Sequence, residues 1–164
     1  MKIFLDTNVL ASAAATRGLC ADVVREVFAS HDLFISEQVL NELRRVLKLK
    51  FGVGQDVIDD YIWLLQQDSV LAQPSQVPRV KLQDKEDLTI LAAAITAGAE
   101  ALITGDKELL NLGRVENLKI LSPRQFWEEL KAQQERSRKS RDRKSRDRKS
   151  RVGPRQLVRR RQKT

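Results

Sequence analysis

Four acidic residues at the ends of predicted strands and helices are the residues in this sequence best suited to chemistry. Asp6 directly follows the short apolar run 2–5, and Asp106 follows a second apolar run later in the chain. Glu42 borders the apolar face of a predicted helix, and Asp87 lies near the start of another. Open α/β sheets bind ligands at the carboxyl ends of their strands. We therefore expect the four carboxylates to meet at one edge of a sheet.

Several carboxylates in one pocket repel one another strongly, so such a cluster is tolerated mainly when a cation neutralises it. Oxygen ligands favour Mg²⁺, with Mn²⁺ as an alternative. An ion of this kind can activate water for attack on a phosphodiester and stabilise the departing oxygen. This chemistry needs no side-chain nucleophile, and the sequence contains no convincing Ser/His/Asp or Cys/His arrangement.

Most of these acidic residues also have a simpler structural interpretation. Asp6 could be a polar cap after its strand, and Glu42 could form an ion pair with Arg44 or Arg45 at the rim of the protein. Asp84 could cap the helix that it precedes, with other acids in the first turn favoured by the helix dipole.

Length and composition favour one folded domain followed by a basic tail. The chain has 164 residues and a net charge of +8. Residues 131–164 hold 16 Lys/Arg and 3 Asp/Glu, whereas residues 1–130 hold 14 and 19, which gives the two parts net charges of +13 and −5. A single cysteine excludes an internal disulfide and fits a reducing cytoplasm. The one histidine, His31, lies in a predicted turn, and no apolar run is long enough to cross a membrane.

Strand and helix patterns alternate along the first 134 residues. Short apolar strands are predicted at 2–5, 33–35, 70–72, 101–104 and 118–121, with helices between them and a last helix that begins at Pro123. Small residues at 11–15 are expected to lead into the first helix at Leu19. This alternation predicts an α/β, three-layer sandwich with a mostly parallel sheet and right-handed connections.

The segment from residue 135 to 164 differs in composition from everything before it. Residues 138–151 repeat the motif Arg-Lys-Ser-Arg-Asp, and apolar residues almost vanish. Such a segment cannot bury a core and is predicted to be disordered. Its charge indicates either nucleic-acid contact or a merely solvated tail.

Four stretches of the sequence resemble the motif blocks of PIN-domain ribonucleases, in particular the VapC-like toxins of prokaryotic toxin–antitoxin modules. They are residues 4–10, 36–43, 84–94 and 101–110, in the order and spacing of that family. The resemblance implies a Rossmann-like PIN fold with strand order 3-2-1-4-5 and magnesium-dependent endoribonuclease activity. It also implies RNA as the substrate, a homodimer and an antitoxin partner. The repetitive basic tail departs from the family pattern.

The resemblance assigns the acidic roles to Asp6, Glu42, Asp87 and Asp106. We expect Asp6, Asp87 and Asp106 to bind the metal, and Glu42 to act through water or as a base. Thr7 and Asn8 match the turn after the first strand, Thr104 matches the hydroxyl beside the last acid, and Asp84 is an additional, outer acid.

Two other functions remain open from the sequence. A phosphatase of the haloacid-dehalogenase type also begins with an aspartate after its first strand, but it needs a second aspartate two positions later, where this chain has Asn8. The other possibility is a folded scaffold without catalytic activity, whose basic tail binds RNA or ribosomes electrostatically.

Overall fold

The computed structural model describes the backbone of residues 1–151 and the side chains of residues 1–141. The described chain divides into two units, Met1–Trp127 and a second that begins at Glu128. The strands are β1 Lys2–Leu5, β2 Asp32–Ser36, β3 Ser69–Ala72, β4 Ala101–Ile103, β5 Arg114–Val115 and β6 Leu118–Leu121. The helices are α1 Thr7–Ala15, α2 Leu19–Ser30, α3 Glu37–Leu49, α4 Gln55–Gln67, α5 Lys85–Thr96, α6 Lys107–Leu112 and α7 Pro123–Arg151.

One mostly parallel sheet forms the centre of the first unit. Its strand order is β3-β2-β1-β4-β6-β5, and only the β5–β6 pair is antiparallel. The predicted fifth strand is β6, so the predicted order 3-2-1-4-5 is observed for the five predicted strands. The short β5 is an addition at the edge of the sheet.

Both faces of the sheet are covered. Consecutive side chains of a strand point to opposite faces, and in the central strands β1 and β4 the residues Ile3 to Leu5 and Ala101 to Ile103 are all fully buried. Helices must therefore flank the sheet on both sides, which confirms the predicted α/β class with its three layers.

The structure differs from the sequence-based expectation immediately after β1. The residues from Thr7 to Ala15 form a helix of their own, α1, rather than a lead into the next one. Small residues allow α1 to pack closely against both α2 and α3. Asp6 is thus the single residue between β1 and α1. Its side chain lies both at the end of the strand and at the start of the helix.

The C-terminal helix extends further than expected. The sequence predicts disorder from residue 135, whereas α7 continues to Arg151, with the side chains of residues 135–141 exposed. Arg, Lys and Gln are good helix formers, and neither Gly nor Pro interrupts the chain between Pro123 and Gly153. The remainder of the predicted tail, residues 152–164, lies outside the described residues, and the domain boundary after residue 134 stays a prediction.

No helix in the described part of the chain is both long enough and apolar enough to span a membrane.

Candidate active site

The acids that follow β1 and β4 are brought together by direct pairing of these two strands. Leu5 lies beside Ile103 in the parallel register, and the Asp6 amide donates to the Ile103 carbonyl at 3.1 Å. Asp106 follows β4 by only three residues. Because the strands are parallel, both carboxylates emerge at the same edge of the sheet.

The predicted acids line one cavity of about 310 Å³. Its walls include Asp6, Glu42, Asp84, Asp87 and Asp106, together with Thr7 and Asn8. Thr104, the remaining predicted residue, is fully buried and contacts Asp6 through its hydroxyl group. The structure therefore places every predicted site residue in or directly behind this cavity, while the catalytic and metal-binding roles themselves stay predictions.

Asp6 is held by three hydrogen bonds. Its Oδ1 accepts from the Thr7 amide at 2.8 Å, and its Oδ2 accepts from Thr104 Oγ1 at 2.6 Å and from Asn8 Nδ2 at 2.7 Å. Burial raises the pKa of Asp6, and the charges of Glu42 and Asp106 raise it further, whereas the bonds from Thr104 and Thr7 lower it. The carboxylate is thus fixed in orientation before anything binds. These contacts confirm the cap interpretation of Asp6, and its role in the site stays a prediction.

Asn8 and Thr104 also connect Asp6 to the loop after β4. The Gly105 amide donates to Asn8 Oδ1 at 2.9 Å, and the Asp106 amide donates to Thr104 Oγ1 at 2.9 Å. A Cβ atom at Gly105 would lie 3.2 Å from Asn8 Oδ1, so the close approach of the two segments favours glycine. Asn8 donates to Asp6, which an ionised aspartate at this position could not do. This contact is a further argument against the phosphatase interpretation.

Asp84 and Asp106 each cap a helix. Asp84 Oδ1 accepts from the Glu86 amide at the start of α5 at 2.8 Å. Asp106 Oδ1 accepts from the amides of Glu108 and Leu109 at the start of α6, at 2.7 and 3.1 Å. The capping interpretation of Asp84 therefore describes its contacts correctly, whereas the cap at Asp106 was not predicted.

Asp87 has a strongly perturbed carboxyl group. Partial burial raises its pKa to about 7, and the charges of Asp106, Asp84, Asp6 and Glu108 act in the same direction. A pKa near 7 means that Asp87 remains partly protonated at neutral pH, which indicates an excess of negative charge in the cavity. A bound cation would relieve the same excess.

Glu42 is oriented by a hydroxyl group rather than by a basic residue. Its Oε2 accepts from Thr7 Oγ1 at 2.8 Å. Arg44 donates instead to Asn41, and among the described side chains no ion pair joins Glu42 to Arg44 or Arg45. The rim ion pair considered from the sequence is thus not formed. Thr7 links Glu42 to the strand end that carries Asp6.

The cavity also contains residues that were not predicted from the sequence. Lys50, Phe51 and Glu86 line it, together with Ser12 and the apolar side chains Ala11, Val46 and Ile90. Glu108 does not line the cavity, but its Oε1 accepts a hydrogen bond from the Gln83 amide at 2.6 Å. This bond connects the loop before α5 to α6. A turn at a helix end, such as the one that carries Lys50 and Phe51, has no signature that would connect it to a distant strand end.

The donor set suits a hard divalent cation. Asp6, Asp87 and Asp106 offer carboxylate oxygens around one cavity, and their mutual repulsion contributes to the raised pKa of Asp87. Within the described residues, however, no group of three or more His, Cys, Asp or Glu side chains is positioned to hold a single metal ion. Binding of an ion by all three would therefore require the side chains to move closer together.

Comparison with known proteins agrees with this architecture. Residues 2–108 match the family model of the PIN domain. A chain of the VapBC2 structure from Rickettsia felis, solved with a DNA fragment of its promoter, aligns with a TM-score of 0.56 and 18% identity, over 74% of this chain and 98% of that one. VapC20 from Mycobacterium tuberculosis, described as a Sarcin-Ricin loop cleaving toxin, aligns with a TM-score of 0.54 and 17% identity, over 71% and 98%.

A chain of VapBC-1 from nontypeable Haemophilus influenzae is similar at the same level, with a TM-score of 0.53 and 21% identity, over 75% of this chain and 98% of that one. At such identities the likeness concerns the fold. No curated protein matches the chain at the sequence level.

Proposed function

Since the chain belongs to the PIN-domain family, we propose that it is a metal-dependent endoribonuclease that hydrolyses RNA phosphodiester bonds and is the toxin of a toxin–antitoxin pair. The observation that carries the proposal is the set of carboxylates gathered from β1, α3, α5 and the loop after β4 around one cavity. The fold likeness to VapC20, a Sarcin-Ricin loop cleaving toxin, supports the choice of a nuclease.

We assign Mg²⁺ to Asp6, Asp87 and Asp106, with Mn²⁺ as a possible substitute. When bound, such an ion activates water and stabilises the charge on the departing oxygen. Thr104 and Asn8 fix the orientation of Asp6 through their hydrogen bonds. Glu42, held by Thr7, orients the attacking water or accepts its proton.

Protein partners are proposed from observations other than the carboxylate cavity. Two of the similar structures are VapBC assemblies. Large apolar side chains of α4 and β3 are exposed, namely Val57, Trp63, Leu64, Val70 and Leu71. Exposed apolar surface of this kind commonly marks a protein interface. We propose that an antitoxin and a second copy of the chain cover apolar surface in the cell, and that the protein acts in the cytoplasm.

Asp106→Asn is the sharpest test of the metal site. The asparagine retains the oxygen that caps α6, because Asn is as good a cap as Asp, while the negative charge is removed. Mg²⁺ at about ten times its dissociation constant should stabilise the wild type by roughly 1.4 kcal/mol. We expect the variant to lose RNA cleavage and most of this stabilisation.

The matched control for this test is Asp60→Asn, which changes an exposed acid on α4 outside the cavity. It should retain both cleavage and the magnesium shift. An equal magnesium shift in the wild type and in Asp106→Asn would contradict the assignment of the ion to this cavity.

The basic C-terminal segment supports a second candidate, in which the protein binds RNA or ribosomes without cleaving. The net charge of +13 on residues 131–164 favours polyanions. Truncation after Gln134 should then lower the slope of log affinity against log salt by about 0.7 for each phosphate that the segment neutralises in the full chain. If the full chain binds RNA but does not cleave it with Mg²⁺, this second function replaces the first. If cleavage at saturating RNA survives truncation, the active site lies in the folded part.

A further inference from the structure

Lys50 and Phe51 form one corner of the acidic cavity. Among the described residues that line it, Lys50 is the only basic residue and Phe51 the only aromatic one. They lie where α3 ends, and the Lys50 Nζ lies 5.9 Å from the centroid of the Phe51 ring. The cavity thus combines several carboxylates with one ammonium group and one aromatic ring.

The Phe51 backbone is held in place by the end of α3. Its amide donates to the Val46 carbonyl at 3.3 Å, and the Val53 amide donates to the Leu47 carbonyl at 3.0 Å. Gly52 makes this turn possible, because its φ of 63° lies in the left-handed region. Phe51 is nevertheless 38% exposed. The ordered turn at the end of α3 therefore holds the partly exposed Phe51 ring beside the polar cavity.

We propose that Phe51 stacks on one unpaired base of the RNA substrate while Lys50 contacts a neighbouring phosphate, so that the backbone of the strand crosses the carboxylates. This inference rests on the proposed ribonuclease function and makes it more specific. It requires at least one unpaired base at the site, because the bases of a duplex are already stacked on one another and cannot reach the ring.

The charge of the folded part favours a contact that does not depend on charge. Residues 1–130 carry a net charge of −5, so the folded part has little long-range attraction for a polyanion. Base stacking on an aromatic ring does not depend on the charge of the protein, and it is tolerant of sequence. Lys50 supplies a positive charge within the cavity itself, where Asp6, Asp87 and Asp106 would otherwise repel the phosphate.

Binding should be measured on the full chain carrying Asp106→Asn, so that RNA is not consumed. The probe is a short single-stranded oligoribonucleotide that contains 2-aminopurine, whose fluorescence falls when the base stacks. Phe51→Leu keeps an apolar side chain over the end of α3 but removes the flat ring. We expect it to weaken binding by about tenfold and to abolish the quenching, whereas Phe51→Tyr retains both.

Lys50 is tested through salt dependence. Lys50→Ala should lower the slope of log affinity against log salt by about 0.7, as expected for one phosphate contact on a single strand, whereas Phe51→Leu should leave the slope unchanged. Lys48→Ala, which removes an exposed lysine on α3 outside the cavity, is the matched control and should alter neither affinity nor slope.

Cleavage by the active protein provides a second readout. Phe51→Leu should raise KM by about tenfold and change kcat by less than about twofold, because the carboxylates are untouched. The same oligonucleotide annealed to its complement should bind more weakly and show no difference between wild type and Phe51→Leu.

The outcomes separate this inference from the proposed function. Suppose that the wild type cleaves RNA. If Phe51→Leu then binds and cleaves RNA as well as the wild type, the stacking role is wrong and the ribonuclease proposal stands. The same conclusion follows if Phe51→Tyr loses as much affinity as Phe51→Leu. If the wild type neither binds nor cleaves RNA with Mg²⁺, both are wrong. Thermal melts of each variant verify that a weaker affinity is not caused by unfolding.

Discussion

Replacement of Asp87 by asparagine should stabilise the protein when no metal is present. In the folded state the pKa of Asp87 is raised to about 7 from the ordinary value of 3.8, by burial first and then by neighbouring negative charges. Between these two pH values the folded protein retains a proton that the unfolded chain has released. The free energy of unfolding of the wild type therefore falls as the pH rises from about 4 to 7.

The magnitude follows from the two pKa values and from solvent exposure. The difference between 3.8 and about 7 corresponds to about 4 kcal/mol if it is counted in full. The side chain is only partly buried, so water screens much of the repulsion, and about 1 kcal/mol is the expected gain for Asp87→Asn at pH 8. Near pH 4 the gain should fade, because the wild-type carboxyl group is then neutral in the folded state.

Urea unfolding of wild type and Asp87→Asn at pH 4, 6 and 8, with EDTA present, measures this difference. Asp60→Asn is the matched control and should lie within about 0.5 kcal/mol of the wild type at every pH, as surface substitutions usually do. An Asp87→Asn variant that is no more stable than the wild type at any of the three pH values would refute the reasoning. It would mean that the cavity carries no excess of negative charge without a cation.

Two further changes test contacts found only in the structure. Thr104→Val should destabilise the protein by about 1–3 kcal/mol in urea unfolding, since it leaves the Asp106 amide without its acceptor and removes one of the three donors to Asp6, while Thr104→Ser should cost less. The His31 ring lies edge-on to Phe126, and both of its nitrogens are buried without hydrogen-bond partners. Burial lowers the pKa of His31, and the charge of the N-terminal amine lowers it further. The negative charges of Glu26, Asp32 and Glu100 act in the opposite direction. Stability from neutral His31 is complete above pH 6.5 and is lost as the pH falls below it, so His31→Phe should flatten the decline of the melting temperature between pH 7 and 5 relative to wild type. An unchanged pH profile would show that the ring is solvated.

Local patterns predicted the carboxyl ends of the strands to within one residue because each pattern has a direct physical cause. Apolar runs of about four residues mark strands that are buried on both faces, and parallel pairing brings the carboxyl ends of neighbouring strands to one edge. Asp6 and Asp106 could therefore be assigned to the same edge. Their adjacency required knowledge that β1 lies beside β4, and that came from the resemblance to a family rather than from periodicity.

Contacts between distant segments were beyond the sequence. Thr104 and Asp6 are 98 positions apart, and Glu42 and Thr7 are 35 apart, yet both pairs are joined by hydroxyl hydrogen bonds. A hydroxyl group at the end of a strand has many possible acceptors, and only the assembled sheet selects one. The hairpin of β5 and β6 was missed for a different reason, since a strand of two residues has no measurable period.

The helix-cap and the metal-site interpretations, which are alternatives on the sequence alone, are compatible in the structure. Asp6, Asp84 and Asp106 are the N-cap residues of α1, α5 and α6, and their side chains accept amide hydrogens there. The positive ends of three helices thus point toward the cavity and stabilise the negative charge of these residues. Asp87 has no such contact, because no group among residues 1–141 donates a hydrogen bond to its carboxylate.

Compensation by helix ends explains why the carboxylates can gather before a cation binds. Capping amides hold three of the acids in place, whereas Asp87 depends on a proton or a cation to offset its neighbours. Because a metal ligand must be deprotonated, cation binding near pH 7 would release a proton mainly from Asp87. The stabilisation that such a cation would provide should therefore depend on pH mainly through Asp87.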